Sequence, residues 1–170
     1  METAIVGLIV IGLLILVVGG VAFNALTAQA TLADASRAMQ ERAGERARTN
    51  LAPVNATASG ACDLVFVTLK NSGTQKLADY EKWDVVLQYS DGATNQIKWY
   101  PYGAGANRWA AQIYQRVTPL TAEVFEPGIF NPGEEMLITV NVTPNVGAST
   151  LNLAKISTPN GITASMVFTR

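Results

Sequence analysis

The stretch from Ala4 to Phe23 reads AIVGLIVIGLLILVVGGVAF, twenty residues without a single charge. At about 1.5 Å per residue a helix of this length extends roughly 30 Å, the thickness of bilayer hydrocarbon. The run is apolar on every side, so a lone helix of this kind has no solvated face in water; it belongs in lipid or among other helices like itself. Only Met1, Glu2 and Thr3 precede it, without the basic n-region and shorter apolar core of a cleavable secretory signal. The run is expected either to be inserted as it stands or, the favoured reading, to follow a short leader that has already been removed.

The helical pattern outlasts the apolar run. Between Asn24 and Asn50 there is no proline, alanine is abundant, and Leu32, Ala35, Met39, Ala43 and Ala47 recur at spacings of three and four. Asp34, Arg37, Glu41, Glu45 and Arg48 form a second stripe that sets opposite charges three or four positions apart, where they neighbour one another on a helix surface. These five are candidates for charge pairing between subunits, against the plainer reading of a solvated helix face. Pro53 is expected to close the segment. A helix from about Thr3 to Asn50 would be roughly 70 Å long, far beyond the 11 or 12 residues of an ordinary globular helix, so something has to cover it. Gly7, Gly12, Gly19 and Gly20 permit close backbone approach, and Gly12 and Gly19, a heptad apart, lie near one face. With Leu16, Phe23 and Leu26 they are the candidate residues for packing between helices.

After the helix the composition changes. NATASGACD, from Asn55 to Asp63, reads as a short polar connector, and then runs rich in β-branched and aromatic residues begin. Leu64 to Lys70, Trp83 to Tyr89, Gln96 to Tyr102, Ala111 to Val117, Met136 to Val142, Leu151 to Ser157 and Ile162 to Thr169 predict seven short strands. Asp91-Gly92 and Asn160-Gly161 are signals for tight hairpins, while Pro127-Gly128 and Pro132-Gly133 suit the centre of type II turns. Seven strands in about 115 residues predict an antiparallel β-sandwich of immunoglobulin-like design. The last strand runs nearly to Arg170, so the C-terminus is expected to complete the sandwich with no sorting tail. The fold class is thus α+β: a long hydrophobic helix over residues 1–53 and a sandwich over 54–170.

Composition removes several function classes. The 170 residues include no histidine and one cysteine, so neither a Ser-His-Asp nor a Cys-His nucleophile, no imidazole ligand, no internal disulfide and no thiolate zinc cage is available. A net charge of -1 without a basic block argues against nucleic acid as a partner. No phosphate loop or acid/base pair stands out, and an enzyme is the least favoured class.

The charge-free GLIVIGLLILVVGGVAFNALTAQA, from Gly7 to Ala30, resembles the N-terminal domain of archaeal-type flagellins, the archaellins, which are related in assembly to type IV pilins. KNSGTQKL, from Lys70 to Leu77, and NPGEEMLITV, from Asn131 to Val140, are similar to the family's strand-and-turn segments. The fifth position carries Ile5 where type IV pilins have a glutamate, a departure that points away from a bacterial-type pilin. The resemblance implies a homo-oligomeric helical filament outside the cell, with helices bundled in its core and sandwiches forming its sheath. It further implies insertion in the cytoplasmic membrane before assembly, a prepilin-peptidase-like processing enzyme, a membrane assembly platform with its motor, and no cofactor. Swimming motility is the implied use. The alternatives are an adhesive pilin of archaeal type and a monomeric, membrane-anchored binding module. An anchor needs only about 20 apolar residues, whereas this helical pattern continues for another 25 or so.

Smaller features remain. Asn55-Ala56-Thr57 and Asn141-Val142-Thr143 fit the N-glycosylation pattern, with Asn55 favoured by its place in the connector and Asn141 disfavoured by its place in a strand. WYPYGAGANRW, from Trp99 to Trp109, offers a sugar-binding or intersubunit surface, or a cap on the sandwich core. Asp79, Glu81, Asp84, Glu134 and Glu135 could donate oxygens to calcium but lack an EF-hand spacing, and solvated loops are the default. Cys62 is expected to be a small buried side chain.

Overall fold

Helix α1 runs without interruption over Glu2–Arg48, 47 residues, in the computed structural model, which describes residues 2–61 and 63–170. Leucine and alanine are frequent along it, its N-terminal half is also rich in β-branched Ile and Val, and no proline interrupts it before Pro53, beyond its end. The chain divides into two compact units, Met1–Ala43 and Gly44–Arg170, so the last turn of α1 belongs with the strands that follow.

Among the described residues nine strands build two antiparallel sheets. In chain order they are β1 Leu51–Ala58, β2 Leu64–Asn71, β3 Asp84–Ser90, β4 Asn95–Tyr100, β5 Trp109–Arg116, β6 Thr121–Ala122, β7 Glu135–Asn141, β8 Leu151–Ser157 and β9 Thr163–Thr169. One sheet has the order β1-β2-β7-β5-β6 and the other β4-β3-β8-β9. The strands alternate as a sandwich demands: Val85, Leu87 and Tyr89 of β3 are buried, as are Met136, Ile138 and Val140 of β7, while their neighbours face outward. The two inner faces meet over Val65, Val67, Leu69, Trp83, Tyr100, Trp109, Phe130 and Ile156.

All seven expected strands are present, within two or three residues of their expected ends. The connector is shorter than expected, because its first residues are strand. Residues Leu51–Ala58 form an edge strand whose Leu51 and Ala58 pair with Asn71 and Val65 of β2. Pro53 therefore does not merely close the helix; it sits at a register irregularity between Pro53 and Asn55, on an edge strand where a missing N–H is tolerated. LAPVNATA, small and interrupted by proline, carries too little β propensity to announce itself. The tight hairpins also open out: Ser90 pairs with Asn95 across a four-residue loop, and Ser157 with Thr163 across five. Gly128 and Gly133 do take positive φ, +88° and +91°, with Ile129 N–H donating to the Glu126 carbonyl and Glu134 N–H to that of Asn131, as type II turns require. Cys62 lies outside the described residues.

The last turn of α1 is sewn into the second unit. A helix end leaves carbonyls without partners, and here the loop after β2 supplies them. Thr74 and Gln75 N–H both donate to the Arg48 carbonyl, at 2.8 and 3.2 Å, and Ser72 and Gly73 N–H donate to that of Asn50. The Asn160 side-chain amide donates to the Thr49 hydroxyl at 2.8 Å. The loop approaches so closely that a Cβ on Gly73 would lie 2.6 Å from the Asn50 nitrogen and also collide with the Arg48 carbonyl. Gly73→Val is expected to lower unfolding stability by about 1–3 kcal/mol through overpacking, read by urea unfolding of the full chain in detergent.

Buried phenols add a pH dependence. Tyr80 donates to the Leu77 and Gly128 carbonyls and Tyr100 to the Tyr89 hydroxyl. Burial pushes the phenols of Tyr80, Tyr89 and Tyr100 above their ordinary range. A folded pKa raised above the unfolded value, about 10 for tyrosine, contributes stability that is present below pH 10 and is lost as pH rises beyond it. An alkaline titration is therefore expected to show these three phenolates appearing together with loss of near-UV circular dichroism, not before it.

Candidate functional site

The strongest functional feature is the surface of α1 itself. Its large apolar side chains from Ile5 to Met39 are exposed, between 49% for Val10 and 75% for Leu8. By length and composition this helix suffices to cross a membrane. An ideal helix advances about 100° per residue, which places Gly12, Leu16, Gly19, Phe23 and Leu26 within about 80° of one another. Gly20 flanks that group and Gly7 lies on the opposite side. Space is open at the Cβ position of each of the four glycines. A helix with small residues on two sides and bulky aliphatics elsewhere is suited to close approach by more than one neighbour.

The charged residues continue along α1. Asp34, Arg37, Glu41, Glu45 and Arg48 are all exposed. Among the described residues the ion pairs are Lys76 with Glu126 and Lys82 with Asp79, and none of the five takes part. Their charges are thus left for solvent or for another chain.

In the sandwich the remaining candidates have local duties. Asn55 is exposed on β1, in a strand and not in a connector. Asn141 is half-buried at the end of β7, its N–H donating to the Arg108 carbonyl. Trp99 and Trp109, which bound the aromatic segment, part company: Trp109 is fully buried against Tyr102, with ring centroids 4.9 Å apart, while Trp99 is 58% exposed. The segment thus caps the core at one end and presents an indole at the other.

The acidic residues are similarly occupied. Glu134 is buried and accepts the Asn131 N–H at 2.8 Å, Glu135 accepts that of Val117 at 2.7 Å, Asp84 accepts the Trp99 indole N–H at 2.9 Å, and Asp79 pairs with Lys82. No group of three or more His, Cys, Asp or Glu poised for a metal occurs among the described residues. Sequence reasoning missed β1, the two-residue β6, the sewn end of α1 and the outward face to which Trp99 belongs. Only the last left a signal, in the alternation of β4.

No protein-family model matches the chain, and neither does any curated protein. Solved structures do. The archaellum periplasmic stator protein FlaG of Sulfolobus acidocaldarius is 21% identical, with a TM-score of 0.53, over 71% of this chain and 99% of that one. The periplasmic stator complex of FlaF and FlaG from the same organism gives 20% identity and a TM-score of 0.53 over 69% of this chain and 87% of that one. The archaeal flagellum of Methanospirillum hungatei strain JF1 gives 13% identity and a TM-score of 0.61 over 95% of this chain and 89% of that one. What this chain shares with them is the fold.

The last of these likenesses reaches furthest. α1 holds 47 of the 170 residues, so a match over 95% of the chain has to include most of the helix as well as the sandwich.

Proposed function

We propose that the chain is a structural subunit of an archaellum-like extracellular helical filament, built by bundling of its N-terminal helices and used for swimming. The observation that carries this reading is a 47-residue helix whose apolar side chains are exposed over far more length than a bilayer covers. The likeness to the flagellum of M. hungatei, helix included, supports it. Helix α1 is the filament core and, in its apolar part, the membrane segment before assembly; the sandwich, entered through β1 at Leu51, is the outer domain. Gly12, Leu16, Gly19, Phe23 and Leu26 pack against one set of neighbours, with Gly7 and Gly20 serving others. Asp34, Arg37, Glu41, Glu45 and Arg48 meet opposite charges of adjacent subunits and fix register.

In lipid and in the bundle alike the helix surface stays among apolar groups, so extraction from the membrane exposes little of it to water. A prepilin-peptidase-like enzyme removes a leader, and a membrane platform with its motor assembles and turns the fibre. Asn55, exposed on an edge strand, is the better glycan acceptor of the two. Catalysis has no part in this function.

A second reading has its own support. A FlaG-like likeness over 71% of the chain leaves out a share close to that of α1, and fits a membrane-anchored sandwich that serves as a static archaellum component. Shearing separates the two. A filament subunit is released in fibres as a major component, whereas a static component stays with the membrane after fibres are removed.

Two consequences are measurable. Gly12→Leu or Gly19→Leu is expected to reduce sheared filament yield at least tenfold by overpacking the bundle, with unchanged sandwich unfolding; normal yield from both contradicts close packing there. Asn55→Gln is expected to abolish a glycan mass increment on the intact subunit, and Asn141→Gln to leave it in place.

A further inference from the structure

The segment around β6 is pinned in place yet turns apolar side chains outward. The side-chain amide of buried Asn131 donates to the Phe125 carbonyl at 3.0 Å, and the Gly128 N–H donates to the Glu123 carboxylate at 3.1 Å. Lys76 pairs with Glu126, and its ammonium stands 5.5 Å from the Phe125 ring centroid. Even so, Val124 is 80% exposed, Leu120 68% and Phe125 61%. Within residues 120–125 these three present on the order of 300 Å² of apolar side chain, the size at which a patch on a monomer is often functional. A loop already held by its backbone loses little further freedom when a partner arrives.

The patch lies at the end of the sandwich that α1 enters. The Gln75 N–H donates to the Arg48 carbonyl, and the next residue is Lys76, which meets Glu126 and the Phe125 ring. Within the segment and its flank the charges are Glu123 and Glu126, of which Lys76 answers one; Arg116, opposite Thr121 in register, sits beside the other end.

Helix α1 carries the matching surface. At about 100° per residue, Leu32, Ala35 and Met39 fall within about 60° of one another, with Arg42 about 80° from Leu32. On the same measure Asp34, Glu41 and Glu45 lie at least about 140° from Leu32, so this side of the helix offers a cation and no acid. Gly12, Leu16, Gly19, Phe23 and Leu26 are at least about 120° away, so a helix that turns those five to the bundle turns this stripe toward the sheath. Leu32 is 69% exposed and Met39 67%, and both lie beyond the 20 or so residues that a bilayer covers.

We propose that residues 120–125 of one copy dock on the Leu32, Ala35 and Met39 stripe of another copy's α1, with Glu123 toward Arg42. Loop meets helix, so the contact is heterologous and repeats along a helical assembly that has no two-fold axis. The inference deepens the filament reading and rests on it for which side of α1 faces outward. A lipid surface would favour cations around the exposed apolar side chains in place of the carboxylates.

The test uses the full chain in the cells that make it, with Cys62→Ser removing the native thiol and a bismaleimide joining introduced cysteines. Val124→Cys with Ala35→Cys is expected to give a ladder of joined subunits in sheared fibres, at least tenfold above either cysteine alone, because every copy is both donor and acceptor. Val124→Cys with Arg37→Cys, on the far side of the helix, is expected to give none. Adding Phe125→Glu or Arg42→Glu to the reactive pair is expected to lower the ladder at least fivefold, with thermal unfolding unchanged.

Fibres without the ladder, or an equal ladder from the Arg37→Cys pair, overturn the proposal and leave the filament reading standing. Where no fibres form, the same ladder from membranes supports the contact and contradicts the filament reading alone. Membranes that yield only single chains overturn both.

Discussion

Everything in this molecule is arranged around apolar surface that its own chain leaves exposed. A helix carrying Leu, Ile, Val and Phe on all sides from Ile5 to Phe23, and Leu26, Leu32 and Met39 beyond, is strongly disfavoured in water. At about 25 cal/mol per Å², each fully covered aliphatic side chain is worth roughly 1.5–3 kcal/mol. Covering a dozen of them is therefore a larger effect than the net stability of an ordinary domain, about 5–15 kcal/mol. A bilayer is thick enough to cover about the first twenty residues. In the proposed filament the apolar side chains beyond that span, Leu26, Leu32 and Met39, are covered by copies of the same chain.

The second unit is built to receive the end of that helix. The Arg48 and Asn50 carbonyls, which a helix end would leave to solvent, accept N–H groups from Ser72 through Gln75, and Gly73 lets the two backbones meet. Leu51 follows directly into a paired edge strand. Within this unit, backbone hydrogen bonds thus tie the last helical turn to the loop after β2.

The parts legible in the sequence were those where one physical signal dominates. Twenty uncharged residues admit few environments, and period-two alternation in Trp83 to Tyr89 or Met136 to Val142 specifies a half-buried strand. Pro127-Gly128 and Pro132-Gly133 declare their turns because proline fixes φ at the first central position and glycine readily takes the positive φ that the second requires. β1 escaped because small residues and Pro53 give it little propensity of its own; it exists because β2 offers an edge. The loop from Ser72 to Gln75 escaped because a backbone amide donating to a distant helix end leaves no trace in side-chain pattern. Trp99 and Trp109 read alike as residue types, yet β4 turns one outward while β5 turns the other in, a difference carried by the alternation along each strand.

The central claim is that copies of this helix cover one another. A three-dimensional reconstruction of fibres sheared from cells that make the chain, with the subunit's intact mass from the same sample, tests it most directly. The account predicts α1 helices packed at the fibre axis about 8–10 Å apart, sandwiches outside, and a mass that shows a leader removed ahead of the apolar run. Fibres that lack the chain, with the protein recovered only from membranes and each helix surrounded by lipid, would contradict it.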